Sequence, residues 1–348
     1  MSTPITPIRT GPTLGEVVGN LGKFSNLGRK DAKESLHALG RGWVHLKDVK
    51  DVEMARFKAL PQEVRNVYLS GALAHINEKT LSEDQKHQCY KKLSNYLDEP
   101  TAAELFKSAP QLLWRNFAKW DDKEQTLHLS TTFLSNEDIK LLMQHVPDEW
   151  KNQAKMIALD HLPTEDLQFL NSMNLPIEKL RISSCDQLKN LKGAESFKKL
   201  THLELVDTSI ESLTGVENLH TVREVRIKNC DDLIDLSALK GKKLETLALE
   251  SSVSIKDFSL LNDETVKNSL KSLSLANMSR INNFELIMPL PQLNKLDISG
   301  TRISDLKPLN NFINPSLTVF ATQNQINTLP KDKLENSTLK VLEKRSNL

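Results

Sequence analysis

What is scarce in these 348 residues narrows the possibilities before any motif is considered. There are only three cysteines, in no paired frame. That fits a reducing compartment or a protein that makes no disulfides. No run of about 18 apolar residues occurs, so no membrane-spanning helix is expected. Net charge is nearly absent, with 46 Lys plus Arg against 45 Asp plus Glu. A dedicated nucleic-acid binder carries a basic face, so this balance argues against one. The opening MSTPITPIRTGPTLGEVVGN has no apolar h-region and does not read as a Sec signal peptide. The motifs that carry chemistry are missing too: no HExxH, no paired CxxC, no P-loop and no GxGxxG, with the nine histidines scattered. No catalytic residue, metal site or cofactor is expected. Tryptophan and tyrosine are absent from the second half. Trp43, Trp114, Trp120, Trp150 and all three tyrosines precede residue 151.

What the chain has instead is repetition. Leu200-x-x-Leu203-x-Leu205-x-x-Thr208-x-Ile210-x-x-Leu213 can be laid over Leu293-x-x-Leu296-x-Ile298-x-x-Thr301-x-Ile303-x-x-Leu306 with every apolar position and the threonine shared. Weaker copies open at Ile177, Val222, Leu244, Leu270 and near Leu317, with starts 22 to 26 residues apart. A fixed period in that range marks a solenoid. Leu203-x-Leu205 has strand period, so its leucines point one way and Glu204 the other. One strand and its return loop cannot bury such a face alone. Stacked on neighbours, the leucines form a continuous core. Small polar residues recur just after each strand, at Cys185, Thr208, Cys230, Ser252, Thr301 and Asn324. They are expected to point inward and bond to turn backbone, because buried amides need partners.

The pattern resembles the leucine-rich repeat family, most closely its short class of about 22 residues. Leu296-Asp-Ile298-Ser-Gly-Thr301-Arg-Ile303-Ser-Asp-Leu306 is similar to a bacterial repeat of the internalin type. The resemblance implies an α/β leucine-rich-repeat solenoid with parallel strands on a concave face. It also implies a non-enzymatic protein-binding scaffold, with another protein as its partner. No nucleic-acid partner or membrane span is expected, and the protein should be a monomer.

The rest of the chain reads in blocks. Residues 1–28 are rich in Ser, Thr, Pro and Gly, with no acid before Glu16. They read either as a solvated tail or as an export signal, since type III effectors of bacteria resemble this. The second reading makes the protein a bacterial effector, secreted without a Sec signal into host cytoplasm. Residues 29–125 read as a helical N-terminal domain, with Val64, Val67, Tyr68, Ala72 and Ile76 at helix spacing after Pro61. The tryptophans and tyrosines are assigned to its core. Residues 126–329 hold the repeats. Those of 126–176 are longer and helix-backed and those of 177–329 are short, and between about 100 and 176 three copies of one helix start recur at Pro100, Ser135 and Pro163. Residues 330–348 form a C-terminal cap, with Leu334, Leu339 and Leu342 closing the core against edge pairing.

Two weaker matches point elsewhere. Leu60-Pro61-x-Glu63-Val64 followed by Cys89-Tyr90-Lys91-Lys92-Leu93 resembles an F-box, which implies a ubiquitin-ligase substrate adaptor. Cys230-Asp-Asp232 matches the Cys-x-Asp of bacterial effector ubiquitin ligases, but it falls on the inward ladder, where a small buried thiol is ordinary. The candidate binding residues lie on the concave face. They are Lys179, Arg181, His202, Glu204, Glu224, Arg226 and Lys228 in the early repeats, then Ala248, Ser274, Asp297 and Phe320. Arg181, Glu204 and Arg226 are expected to align in one column. A solvated face whose charges pair with each other is the competing reading.

Overall fold

The computed structural model describes residues 59–76, 99–107, 110–173, 175–285, 287, 290–311, 316–328 and 340–343. They fall into two compact units that divide between Phe117 and Ala118. The tail of residues 1–28, Trp43, the Cys89–Leu93 half of the F-box match and Leu334 and Leu339 of the expected cap lie outside the described residues.

The first unit is helical where it is described. Helix α1 (Gln62–Ile76) starts directly after Pro61, whose carbonyl accepts from the N–H groups of Val64 and Arg65 at 3.0 and 3.1 Å. Its buried stripe is Val64, Tyr68, Leu69, Ala72 and Leu73. The spacing of these positions puts them on one side of a 3.6-residue helix. They pack on α2 (Glu99–Phe106), which buries Ala102, Leu105 and Phe106. After α3 (Pro110–Leu113), the ring of Phe117 meets Phe106 edge to face, centroids 5.7 Å apart. Trp114 is buried beneath the Arg115 guanidinium.

The second unit is one eleven-stranded sheet whose spatial order is its sequence order. The strands are β1 (Ala118–Asp121), β2 (Thr126–Ser130), β3 (Met156–Asp160), β4 (Lys179–Ser183), β5 (His202–Val206) and β6 (Glu224–Lys228). They continue as β7 (Thr246–Glu250), β8 (Ser272–Ser274), β9 (Lys295–Asp297), β10 (Thr318–Ala321) and β11 (Lys340–Glu343). Only β1 and β2 are antiparallel; every later pair is parallel and in step. The inward leucine pairs, such as Leu180 with Ile182, Leu203 with Leu205 and Leu247 with Leu249, are all buried. Each such side chain contributes roughly 1.5–3 kcal/mol. Two helices back the first coil, α4 (Asn136–His145) and α5 (Asp148–Gln153). Ser135 caps α4 in a reciprocal box with Asp138, whose carboxylate accepts from the Ser135 N–H. Later coils are backed by short 3-10 turns, at Gln168–Met173, Ala194–Ser196, Ser237–Leu239, Ser259–Asn262 and Lys307–Asn311. There are two small helices among them, α6 (Glu264–Lys267) and α7 (Gln323–Ile326).

Three periodic devices turn each strand back. The residue two past the second inward side chain of each coil is left-handed: His161, Ser184, Asp207, Asn229, Ser251 and Asn277 have φ between 51° and 59°, and Gly300 has 71°. These are mostly the residue types that tolerate that region. The N–H groups of Asp207 and Asn229 each bond to a carbonyl of the next coil at 3.0 Å, so the ladder runs past the strand end. Next comes the inward polar ladder. Cys185 Sγ accepts from the Leu162 N–H, and Ser252 Oγ accepts from the Cys230 N–H, at 3.3 and 3.1 Å. Last, a short oxygen side chain accepts from the backbone N–H two residues on. Asp166, Asn190, Ser212, Asp235, Asp257, Asn283 and Asp305 all do this, at 2.7–3.1 Å. Each is followed by a Leu or Phe that plugs the core, so the polar turn and the apolar plug are placed together. Two glycines are required where coils touch. A Cβ on Gly215, at φ 111°, would lie 2.1 Å from the Leu191 carbonyl oxygen, and Gly193 has the same relation to Leu167 at 2.3 Å.

The structure departs from the sequence reading at five places. The Pro163 segment does not start an α-helix; Leu167 N–H bonds to Lys192 O of the next coil instead, and a 3-10 turn follows. Asn324 is exposed and Gln325 takes its place inside, because α7 rotates the side chains by one position. Gln325 Nε2 donates to the carbonyls of Ile298 and Ile303 at 3.2 and 3.0 Å. Thr301 is only half-buried, although it bonds to turn backbone as expected, at Ile298 O, and accepts from Gln325 Nε2 of the next coil at 3.2 Å. Trp120 and Trp150 are not part of a helical-domain core; they stack on each other in the second unit, centroids 5.9 Å apart. Leu342 does not close the core, because its register partner Phe320 belongs to the outward column, and it is 46 % exposed. A buried lysine was also not foreseen. Lys242 Nζ donates to the carbonyls of Glu217 and Leu219 at 2.8 and 3.2 Å, and burial holds its pKa below the ordinary lysine value.

Candidate functional site

Ala118–Glu343 folds as a leucine-rich-repeat solenoid, and its concave strand face is where the candidate residues stand. Alternation within a strand puts Leu203 and Leu205 inward and His202, Glu204 and Val206 outward. The parallel register then sorts the outward residues into columns. Arg181, Glu204, Arg226, Ala248, Ser274, Asp297 and Phe320 share one column; Lys179, His202 and Glu224 share the next, and Lys228 stands in the third.

In the early coils the columns interlock. Arg181 Nε lies 3.9 Å from a Glu204 oxygen. Glu224 is held from two sides, by His202 Nε2 at 3.1 Å and by Arg226 at 3.7 Å. All of these side chains remain substantially exposed, so each pair is worth roughly 0–1 kcal/mol. Together with Lys179 and Met156 they ring a shallow pocket of about 220 Å³. Met156 was not among the expected residues; its outward place is set only by the pairing of β3 with β4. The arrangement is adaptable, because each of these paired charges has a neighbour that a partner's charge can replace.

The late coils are different. Ala248 and Asp297 are buried and offer no side-chain surface. The Asp297 carboxylate accepts from the Ser299 N–H and hydroxyl at 3.0 and 2.6 Å, so it braces the strand end rather than facing a partner. Ser274 is half-buried and its hydroxyl donates to Glu250 at 2.8 Å. Phe320 is half-exposed, with the Lys295 ammonium 5.3 Å from its ring centre. Lys295 is a residue that the repeat pattern did not single out.

The geometry disfavours chemistry at the cysteine motif. Cys230 is fully buried, with Thr208 Oγ at 3.2 Å and the Lys228 carbonyl at 3.4 Å from its sulfur. Burial pushes its thiol pKa up, and that of Cys185 from 9.0 up to about 11. A nucleophilic thiol needs exposure and the opposite shift. Among the described residues no group of three or more His, Cys, Asp or Glu is placed to hold a metal ion, and no helix is long and apolar enough to cross a membrane.

No protein-family model matches the sequence, and no curated protein matches it. Solved structures do. One is an internalin C2 of Listeria monocytogenes, 21 % identical, covering 57 % of this chain and 84 % of its own, with a TM-score of 0.44. Another is an internalin, InlF, of the same organism, 18 % identical, covering 67 % of this chain and 68 % of its own, TM-score 0.41. A third is the leucine-rich repeat domain of the type III effector XopL, 16 % identical, covering 92 % and 96 %, TM-score 0.42. At these values the likeness carries no function across.

Proposed function

We propose that this protein is a non-enzymatic binding scaffold that docks another protein on its concave face. The observation that carries this reading is the interlocked set Arg181, His202, Glu204, Glu224 and Arg226, which with Lys179 lines one shallow pocket. A repeating backbone has no structural need for this cluster of exposed charges, since Ser272 and Ser274 stand in the same two columns on β8. Complementary charge governs partner choice and encounter rate more than raw affinity. In this reading Lys228, Ser274 and Phe320 extend the contact along the sheet. The protein acts as a monomer, and its setting is a host cell reached by export from a bacterium, with residues 1–28 as the signal. The composition of that segment supports the export step.

The test is the double reversal Arg181→Glu with Arg226→Glu. It is expected to leave thermal stability nearly unchanged and to weaken affinity capture from host lysate, more at low salt than at high salt. Capture equal to wild type by a folded variant would move the site off the concave face. Deleting residues 1–28 is expected to leave folding intact and to abolish delivery by a competent bacterium.

A further inference from the structure

A second concavity lies away from the strand face, on the flank where the turns of the β7, β8 and β9 coils follow one another. It has a volume of about 590 Å³, within the range of small-molecule sites. Its apolar wall is Phe258 and Ile281, both nearly fully buried. Around them stand Lys256, Arg280 and Arg302, all exposed, and none has a carboxylate partner among the described residues. Arg280 and Arg302 are the same residue of successive repeats, each just before an inward isoleucine, and Arg302 N–H bonds to Ile281 O at 2.7 Å.

The same flank in earlier coils is built the other way. There Lys189 pairs with Glu211 at 2.7 Å and feels Asp232 and Glu165 as well. Nothing in the coil architecture requires the change of sign. Three like charges around one hollow repel one another unless something negative joins them. The only acid in the lining is Glu285, so three cations against one carboxylate leave two positive charges. Neutral donors are present too. Ser279 and Asn282 make no side-chain hydrogen bond among the described residues, and Asn283 uses only its oxygen, for the Glu285 N–H.

We propose that this pocket binds a small phosphate monoester. Such a group carries about −1.5 to −2 charges at pH 7, which matches the excess in the lining. The planar forks of two arginines suit its oxygens better than they suit a single carboxylate. Phe258 and Ile281 form the floor of the hollow, and Glu285 accepts a hydrogen bond from a hydroxyl of the organic body.

The probes are inositol 4-phosphate, inorganic phosphate and free inositol, titrated into the full chain by calorimetry at low and moderate salt. Saturable binding of the monoester is expected, weaker for inorganic phosphate and absent for inositol. Arg280→Gln with Arg302→Gln is expected to weaken it at least tenfold, Lys256→Gln less, and Lys189→Gln not at all. Thermal melts confirm that each variant is folded. Absence of saturable binding, or binding that survives the double arginine change, would overturn the proposal. So would binding to vesicles carrying phosphatidylinositol 4-phosphate without binding of the soluble ester.

Discussion

The coils of β4–β6 and those of β8–β10 share a backbone and differ in nearly everything the backbone does not dictate. In both, inward leucines fill the core and a left-handed residue follows the strand until α7 interrupts the series. Yet the early strands have five residues and an outward face of paired charges, while β8 and β9 have three, with Asp297 folded into the sheet. The early flank is acidic and paired, and the late flank basic and unpaired. Residues that repeat along the solenoid therefore maintain the fold, and residues that break the repeat are where binding is to be sought.

Core truncation tests the shared part. Leu203→Ala and Leu273→Ala are each expected to cost roughly 2–5 kcal/mol, read from denaturant midpoints. A negligible cost at either would mean that the two halves are not equivalent coils. A smaller effect separates coil contact from backbone strain. Gly215→Ala is expected to cost about 2–4 kcal/mol, because strain is joined by a clash with the Leu191 carbonyl. Gly241, at φ 72° with nothing within 4 Å of an added Cβ, should cost only about 1–2 kcal/mol.

Alkaline titration separates the halves. Cys185 holds its proton to about pH 11 when folded, against 9.0 for the ordinary thiol. Between those values the native state binds more protons than the unfolded one. Stability is therefore unaffected below the lower value and falls as pH rises through the higher, by up to roughly 2–3 kcal/mol. Subtracting the Cys185→Ala curve from wild type isolates that slope. Met278 and Thr301, at the same step of the late coils, have nothing to titrate there. Native Cys185 and Cys230 should also react slowly with thiol reagents. The smallest effect belongs to the concave surface. Glu204→Ala should change stability by no more than about 0.5 kcal/mol, since its contact with Arg181 is long and half-exposed. A core-sized loss there would refute the assigned register.

The strand registers were legible because period-two leucines admit one inward face, and a slip of one residue would expose all of them. The column Arg181–Glu204–Arg226 followed from that spacing alone. Asn324 was misplaced because a single helical turn at Gln323–Ile326 shifts the inward position by one, and an isolated four-residue helix leaves little trace in sequence. Ala248 and Asp297 alternate correctly yet are buried, since alternation gives direction and not depth. The left-handed residues could have been found: His161, Asp207, Asn229, Asn277 and Gly300 stand at one fixed offset and are the types that accept positive φ. So could the Asp/Asn/Ser–Leu/Phe pairs of the turns. Lys242 could not, since its partners are carbonyls of the preceding coil that only the stacked structure brings near.

Because every strand from β3 to β10 is hydrogen-bonded to the strands before and after it in sequence, the sheet is also a mechanical object. Tension between its ends loads hydrogen bonds one strand at a time, as in opening a zip. The protein should therefore lengthen in steps rather than fail at once. Strand starts 22 to 26 residues apart correspond to about 70–90 Å of extended chain per step.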